Sequence, residues 1–115
     1  MPIQSEHVSA AEANTHLATT LLDLSPAWSI VVTFYAALHW VDAFLATFPL
    51  HPENHVERNY YVGLSPLAPI FPSYIRLSNR SREARYDLRS FARDAASQHI
   101  TVDLARIRDH IRSLI

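Results

Sequence analysis

The chain has 115 residues, 49% of them hydrophobic, and a formal net charge of −1. This length and apolar content predict a single compact domain over residues 1–115 and exclude a disordered chain. The absence of cysteine excludes disulfides and thiolate zinc sites, and the near-neutral charge excludes a strong overall attraction to nucleic acid. One glycine and few alternating β-branched runs predict an all-α fold.

The first predicted helix covers about residues 5–24. Residues 1–13 lack the basic start and apolar run of a signal peptide, so a cytoplasmic location is predicted. The link at residues 23–26 is so short that the first two helices are expected to pack antiparallel. The expected buried face of the first helix carries the apolar residues that recur every three or four positions, namely Ala13, Leu17, Leu21 and Leu24.

The second predicted helix, residues 25–48, is the most apolar part of the chain. Ser25 supplies an N-cap and Pro26 suits the first turn. A helix of this length extends about 34 Å and should lie in the middle of the fold. The ionisable His39 and Asp42, and the lack of basic residues at either end, argue against a membrane span. The apolar stripe comprises Ile30, Val31, Phe34, Ala37, Leu38, Val41, Leu45 and Phe48.

Tyr35, His39 and Asp42 lie one turn apart on a single face of this helix. A carboxylate beside an imidazole fixes its tautomer and favours its charged form, so the trio could supply a base or a proton donor. The alternative is structural, with His39 hydrogen-bonded to Asp42 in a polar gap between helices.

Beyond a proline-containing segment, a short helix is predicted at about residues 53–62 and a third long helix from residue 73. Whether the third helix continues past Tyr86 stays open. A break is predicted at residues 97–101, followed by a closing helix at residues 102–115. The inner face of the third helix is expected to hold Leu77, Ala84, Leu88 and Phe91, and that of the closing helix Leu104, Ile107, Ile111 and Leu114.

His51 and His55 are four residues apart, as in helical metal sites. A third ligand is not evident from the sequence, and Pro52 places His51 outside the short helix. His55 also stands close to Arg58 and Asn59, which predicts a polar cluster at the mouth of the bundle.

All ten basic residues are arginine, and six of them lie between Arg76 and Arg93. Guanidinium groups suit bidentate contacts with phosphate, although a GC-rich genome gives the same composition. If the third helix persists, several arginines form a cationic ridge whose natural partner is phosphate. The alternative is a solvated face whose charges are satisfied by Glu83 and Asp87. The ridge comprises Arg82, Arg85, Arg89 and Arg93.

Four short motifs, in order along the chain, resemble those of one family. Residues 35–39, Tyr-Ala-Ala-Leu-His, resemble the signature of the second helix in HEPN domains. His55 follows a proline-containing loop, as in many members. Residues 82–86, Arg-Glu-Ala-Arg-Tyr, resemble the family's Arg-x-Ala-Asp-Tyr string, with Arg85 in place of the aspartate. Residues 102–115 fit the closing helix, so the likeness covers roughly residues 10–115.

The resemblance implies an up-down bundle of four main helices with a short extra helix, assembled as a homodimer. HEPN domains are often encoded beside nucleotidyltransferases in toxin–antitoxin and defence loci, so a cognate nucleotidyltransferase or antitoxin is an expected partner. Active members cleave RNA without a metal, through an arginine and a nearby histidine that two protomers bring together. Arg93 and His99 have this spacing, which implies that Arg93 stabilises the phosphorane charge and His99 moves the proton of the ribose 2′-hydroxyl.

Three functions are therefore open. The leading one is a toxin–antitoxin or defence component that is either a metal-independent ribonuclease or an RNA- or nucleotide-binding protein. The second is a non-catalytic protein-interaction module built on the same bundle, and the third is a metal-binding bundle that uses His51 and His55. No cofactor is expected. The expected binding residues are Tyr35, His39, Asp42, His55, Arg58, Arg82, Arg85 and Tyr86.

Overall fold

The structure is a computed structural model that describes residues 2–48 and 50–115. All regular secondary structure in those two ranges is helical, which confirms the all-α prediction. A 3₁₀ turn at Ala68–Ile70 leads into the fourth helix, and a π-helical segment at His99–Leu104 joins the last two. The helices are α1 (Gln4–Leu21), α2 (Pro26–Leu45), α3 (His55–Val62), α4 (Phe71–Tyr86), α5 (Arg93–Gln98) and α6 (Ala105–Leu114).

The start of α2 is set by its local sequence, as predicted. The Ser25 side chain accepts a hydrogen bond from the backbone N–H of Trp28 at 3.3 Å, and Pro26 is the first helical residue. The helix ends at Leu45, earlier than expected, and Phe48 is exposed beyond its end. The apolar stripe is therefore buried except at its last predicted residue.

The prediction that α2 lies in the middle of the fold is confirmed. This helix contacts α1, α4, α5, the π-helical segment and α6. Phe34 and Trp40 are among its fully buried side chains, and they join one core with residues of α4 and α6. The length and mean hydropathy of 1.4 would also suit a membrane span, but 78% of its most apolar window is buried inside the bundle.

Helices α1 and α2 are antiparallel, because Ser29 near the start of α2 donates to the carbonyl of Ala18 near the end of α1 at 2.7 Å. The predicted buried face of α1 is wrong, since Ala13, Leu17 and Leu24 are exposed and Leu21 is only partly buried. Small side chains let two helix backbones approach closely, so the actual contact face carries few leucines. That face comprises His7, Ala11, Ala18 and Leu22.

Helix α4 ends at Tyr86, which answers the question that the sequence left open. Leu77 is buried as predicted, whereas Leu88 is 86% exposed. The backbone of Leu88 has a φ of 54°, a left-handed conformation that directs the chain away from the helix axis. The prediction of an inner face that includes Leu88 is therefore wrong.

The predicted break at residues 97–101 is also wrong, because the backbone stays right-handed helical from α5 through the π-helical segment into α6. Thr101 donates its hydroxyl proton to the carbonyl of Ser97 at 3.1 Å, so these polar side chains are accommodated within the helix. Of the predicted closing stripe, Leu104, Ile107 and Ile111 are buried, and Leu114 is exposed at the end.

Candidate anion-binding cleft

A cleft of about 300 Å³ lies between α3 and α4, with α2 at its base. Helix α3 begins there because the Asn54 side chain caps it, accepting from the backbone N–H of Glu57 at 2.8 Å. The cleft brings together four residues that the sequence predicted for binding, His55, Arg82, Arg85 and Tyr86. The remaining lining residues are Phe34, Val56, Asn59 and Ser78.

The cleft contains arginines that no carboxylate neutralises. Arg82 donates only to the side-chain oxygen of Asn79, at 3.4 Å, and Arg85 donates to a hydroxyl and a carbonyl. In residues 2–48 and 50–115, the only other arginine without a carboxylate contact is Arg106, which donates to Ser73. The arginines that do contact carboxylates are Arg58, Arg76, Arg80, Arg89, Arg93, Arg108 and Arg112.

Arg85 is held in place by aromatic neighbours. Its Nη1 donates to the hydroxyl of Tyr35 at 3.1 Å, and its Nε donates to the carbonyl of Ser81 at 3.4 Å. The guanidinium carbon lies 5.7 Å from the ring centroid of Tyr35 and 5.0 Å from that of Tyr86. These contacts stabilise the cation without neutralising it.

His55, the first residue of α3, faces this charge. Its ring centroid lies 5.8 Å from that of Phe34. Partial burial lowers the pKa of His55, and the neighbouring guanidinium groups, above all that of Arg58, lower it further. A bound anion would oppose that positive field, so anion binding and protonation of His55 should favour each other.

Behind the cleft, the polar residues of α2, Tyr35, His39 and Asp42, have different partners from those expected. Asp42 accepts two hydrogen bonds from Arg58, one from Nε at 2.9 Å and one from Nη2 at 3.2 Å, and both side chains are buried. This ion pair fastens α3 to α2. The expected pairing of Asp42 with His39 is therefore wrong, and Tyr35 contacts Arg85 instead of either.

His39 pairs with a histidine that the sequence did not single out. Its Nδ1 lies 3.1 Å from the Nδ1 of His7 on α1, so one ring donates and the other accepts. Burial lowers the pKa of both rings, and repulsion from His7 lowers the pKa of His39 further. Asp42 favours the charged form of His39, as expected, but burial and His7 outweigh it. His39 is thus a neutral contact between α1 and α2.

The predicted catalytic residues Arg93 and His99 are held by two separate carboxylates. Arg93 donates from Nε to Asp23 at 2.6 Å, an exposed contact with the α1–α2 turn. The Nδ1 of His99 lies 2.8 Å from a carboxylate oxygen of the buried Asp103, whose other oxygen accepts from Arg76 at 2.5 Å. The single chain does not bring the pair together, and its catalytic role stays a prediction.

The two remaining sequence predictions concern a metal site and a cationic ridge. His51 lines a different cavity from His55, beside His7 and Asp42. Among the residues that the structure describes, no group of three or more histidine or acidic side chains is placed to hold a metal ion. The four-arginine ridge is not continuous, because α4 ends before Arg89, which contacts Glu83 at 2.7 Å.

The chain matches none of the protein-family models and none of the curated proteins with which it was compared. The chemistry of the cleft therefore rests on its own residues. Two unneutralised guanidinium groups, one neutral imidazole and an aromatic wall can bind a multivalent oxyanion that carries an apolar group.

Proposed function

We propose that this chain is a HEPN-like helical domain of a toxin–antitoxin or defence system, and that the α3–α4 cleft binds the phosphate groups of RNA or of a nucleotide. The observation that carries the proposal is that Arg82 and Arg85 line one cleft and have no carboxylate partner among the described residues. Guanidinium donors without an internal counter-charge are available to an external anion, and phosphate matches their geometry.

The up-down bundle, the homodimer and the cognate nucleotidyltransferase or antitoxin partner belong to the same proposal, and the sequence motifs support them. The proposal also includes cleavage of RNA without a metal. Arg93 and His99 from two protomers would then stabilise the phosphorane charge and move the proton of the ribose 2′-hydroxyl. Binding at the cleft requires neither the dimer nor those two residues. The two parts of the proposal can therefore be tested separately.

The test of binding is the affinity of a fluorescently labelled single-stranded RNA for the parent chain and for Arg82→Gln. We expect Arg82→Gln to weaken binding by about 10-fold to 150-fold, because a hydrogen bond to a charged group contributes about 1.5–3 kcal/mol. The slope of log affinity against log salt should become shallower by about 0.7, the value for one phosphate contact on a single strand. Fluorescence anisotropy over a series of salt concentrations measures both quantities.

The matched control is Arg106→Gln, which removes the same charge from an arginine that also lacks a carboxylate contact and lies on α6 against Ser73. It should leave the affinity nearly unchanged. Equal losses in both variants would show nonspecific charge attraction and would contradict a site in the cleft.

Product analysis of the same RNA in EDTA distinguishes binding from cleavage. Cleavage that Arg93→Ala or His99→Ala abolishes would support the ribonuclease form of the proposal, and intact RNA would restrict the function to binding. RNA that is neither bound nor cleaved would favour the interaction-module alternative.

A further inference from the structure

The cleft contains an aromatic surface beside its positive charge. Tyr86 is the last residue of α4 and is 71% exposed, although its ring lines a cleft whose base is the buried Phe34. Phosphate binding alone needs donors and charge, and it makes no use of an aromatic wall. The combination therefore indicates a ligand with a flat apolar group attached to its phosphate.

One face of the Tyr86 ring is left for stacking, because Arg85 lies over the other. Arg85 lies 5.0 Å from its centroid and is itself held by the Tyr35 hydroxyl, so the cation approaches the ring from a defined side. In the part of the chain that the structure describes, no aromatic ring stacks on Tyr86. A nucleobase stacks on an aromatic ring irrespective of its sequence identity, since every base has a π-face.

The cleft also offers neutral polar groups near the aromatic wall. The side chains of Asn59 and Ser78 line it, and neither makes a side-chain hydrogen bond to another described residue. An amide carries both donors and an acceptor, which is the pattern that pairs with the edge of a base. Charge for phosphate and an amide for a base edge thus occur within one cavity.

The size of the cleft limits what can enter. A volume of about 300 Å³ is at the lower end for small-molecule sites, which is room for one nucleotide and not for a double helix. The bases of a duplex are also stacked on one another, so their faces are not free to contact Tyr86. Unpaired nucleotides satisfy both constraints.

We propose that the cleft takes one unpaired nucleotide, whose phosphate binds Arg82 while its base stacks on Tyr86 and contacts the amide of Asn59. This inference rests on the proposed function and identifies Tyr86 as the residue that distinguishes a nucleotide from a bare sugar phosphate. Free mononucleotides and single-stranded RNA share this chemistry, and the experiment below separates them.

The experiment measures the affinities of ribose 5-phosphate and of AMP by isothermal titration calorimetry. AMP carries adenine where ribose 5-phosphate carries the anomeric hydroxyl, so the ratio of their affinities reports the contribution of stacking and edge contacts. We expect AMP to bind about 5-fold to 150-fold more tightly, the range that stacking of one base on an aromatic side chain provides. Tyr86→Ala should lower this ratio at least 5-fold, to what the edge contact alone provides, and retain the affinity for ribose 5-phosphate, whereas Tyr86→Phe should preserve the ratio.

Tyr60→Ala is the matched control, because Tyr60 is an exposed tyrosine of α3 whose ring contacts Tyr61 and does not line the cleft. It should leave the ratio unchanged. Equal affinities of the parent chain for AMP and ribose 5-phosphate would overturn the inference and leave phosphate binding intact. No binding of ribose 5-phosphate, AMP or RNA would instead overturn the proposed function.

A further measurement distinguishes RNA from a free mononucleotide as the ligand. It compares the affinity for AMP with that for a mixed-sequence hexaribonucleotide, either single-stranded or annealed to its complement. Tighter binding of the single strand than of AMP, lost in Tyr86→Ala, would identify RNA as the ligand. Binding of AMP without any gain from the longer chain would identify a free mononucleotide. Equal affinity for single strand and duplex would contradict the requirement for an unpaired base.

Discussion

At the scale of single residues, a hydrogen bond between the rings of His7 and His39 joins α1 to α2. Burial lowers the pKa of both rings below the usual value of 6.5, and repulsion from His7 lowers the pKa of His39 further, with Asp42 acting in the opposite direction on both. The charges around the pair are those of Asp42, Arg58, His51 and Glu6. The folded state therefore favours neutral rings, and the unfolded chain binds protons more readily.

This difference predicts that the free energy of unfolding decreases as the pH falls from about 6.5 through the lower pKa values of the folded rings. The sign follows because the unfolded state takes up protons in that window and the folded state does not. His39→Gln should make the decrease shallower, since it removes one of the three rings whose pKa is lowered in the folded state, the third being His55. Urea unfolding between pH 5 and pH 7.5 measures the slope.

His16→Gln is the control for this prediction, because His16 is an exposed residue of α1 without a side-chain hydrogen bond. It should retain the pH dependence of the parent chain. The same slope in His39→Gln and in the parent would contradict the assignment of the pH dependence to the pair.

At the scale of helices, the end of α4 contains a strained residue. Leu88 has a φ of 54° and an almost fully exposed side chain, so its conformation costs energy that no buried contact offsets. A left-handed conformation costs a non-glycine residue about 1–2 kcal/mol, and glycine adopts it without that penalty. Leu88→Gly should therefore raise the free energy of unfolding by about 0.5–1 kcal/mol, after the larger chain entropy of unfolded glycine is counted.

Leu88→Ala provides the control, since it removes the same exposed side chain and leaves the strain. Its stability should stay within about 0.5 kcal/mol of the parent. Thermal unfolding of the two variants gives the comparison, and a lower melting temperature for Leu88→Gly than for Leu88→Ala would contradict the assignment of strain.

Predictions from the sequence succeeded where a helix is specified by its own neighbouring residues. Ser25 and Pro26 define the start of α2, and the spacing of Leu104, Ile107 and Ile111 identifies the buried side of the closing helix. They failed for α1, because its contact with α2 uses alanines, which a hydrophobic pattern does not distinguish from surface residues. They failed at residues 97–101, where polar side chains donate to their own helix.

The same distinction applies to the candidate site. Arg82 and Arg85 are neighbours on one helix, so their spacing predicted that they would act together, and the resemblance of residues 82–86 to the family string added Tyr86. The partners of Asp42 and His39 come from other helices, Arg58 on α3 and His7 on α1, and the packing of the bundle selects them. A lone histidine near a helix start, such as His7, carries no local signal of such a contact.

At the scale of the whole molecule, seven of the ten arginines contact a carboxylate of the described residues, and two of the other three line the cleft. The net charge of −1 does not indicate this uneven distribution of unpaired arginines along the fold. The cleft keeps its positive field only if α3 stays against α4 and α2. The stability of α3 is therefore the property of the fold on which binding depends most.

Helix α3 has little apolar surface with which to hold its place. Of its eight residues only Arg58 and Val62 are buried, and Val56 and Tyr60 are exposed. The ion pair of Arg58 with Asp42 is consequently its main attachment to the central helix. Removal of one partner of a buried ion pair leaves an uncompensated charge and costs about 3–5 kcal/mol.

Asp42→Asn should therefore release α3 before the rest of the bundle unfolds, because release is the lowest-energy way to return the Arg58 guanidinium to water. Hydrogen exchange should show faster exchange of the α3 amides, with those of α2 retaining their protection. The affinity for AMP should fall as His55 and Asn59 leave the cleft. Asp109→Asn breaks an exposed contact with Arg108 and should change stability by no more than about 1 kcal/mol. An equal loss of protection in every helix of the Asp42→Asn variant would contradict local release, and would instead make this ion pair a condition for folding of the entire bundle.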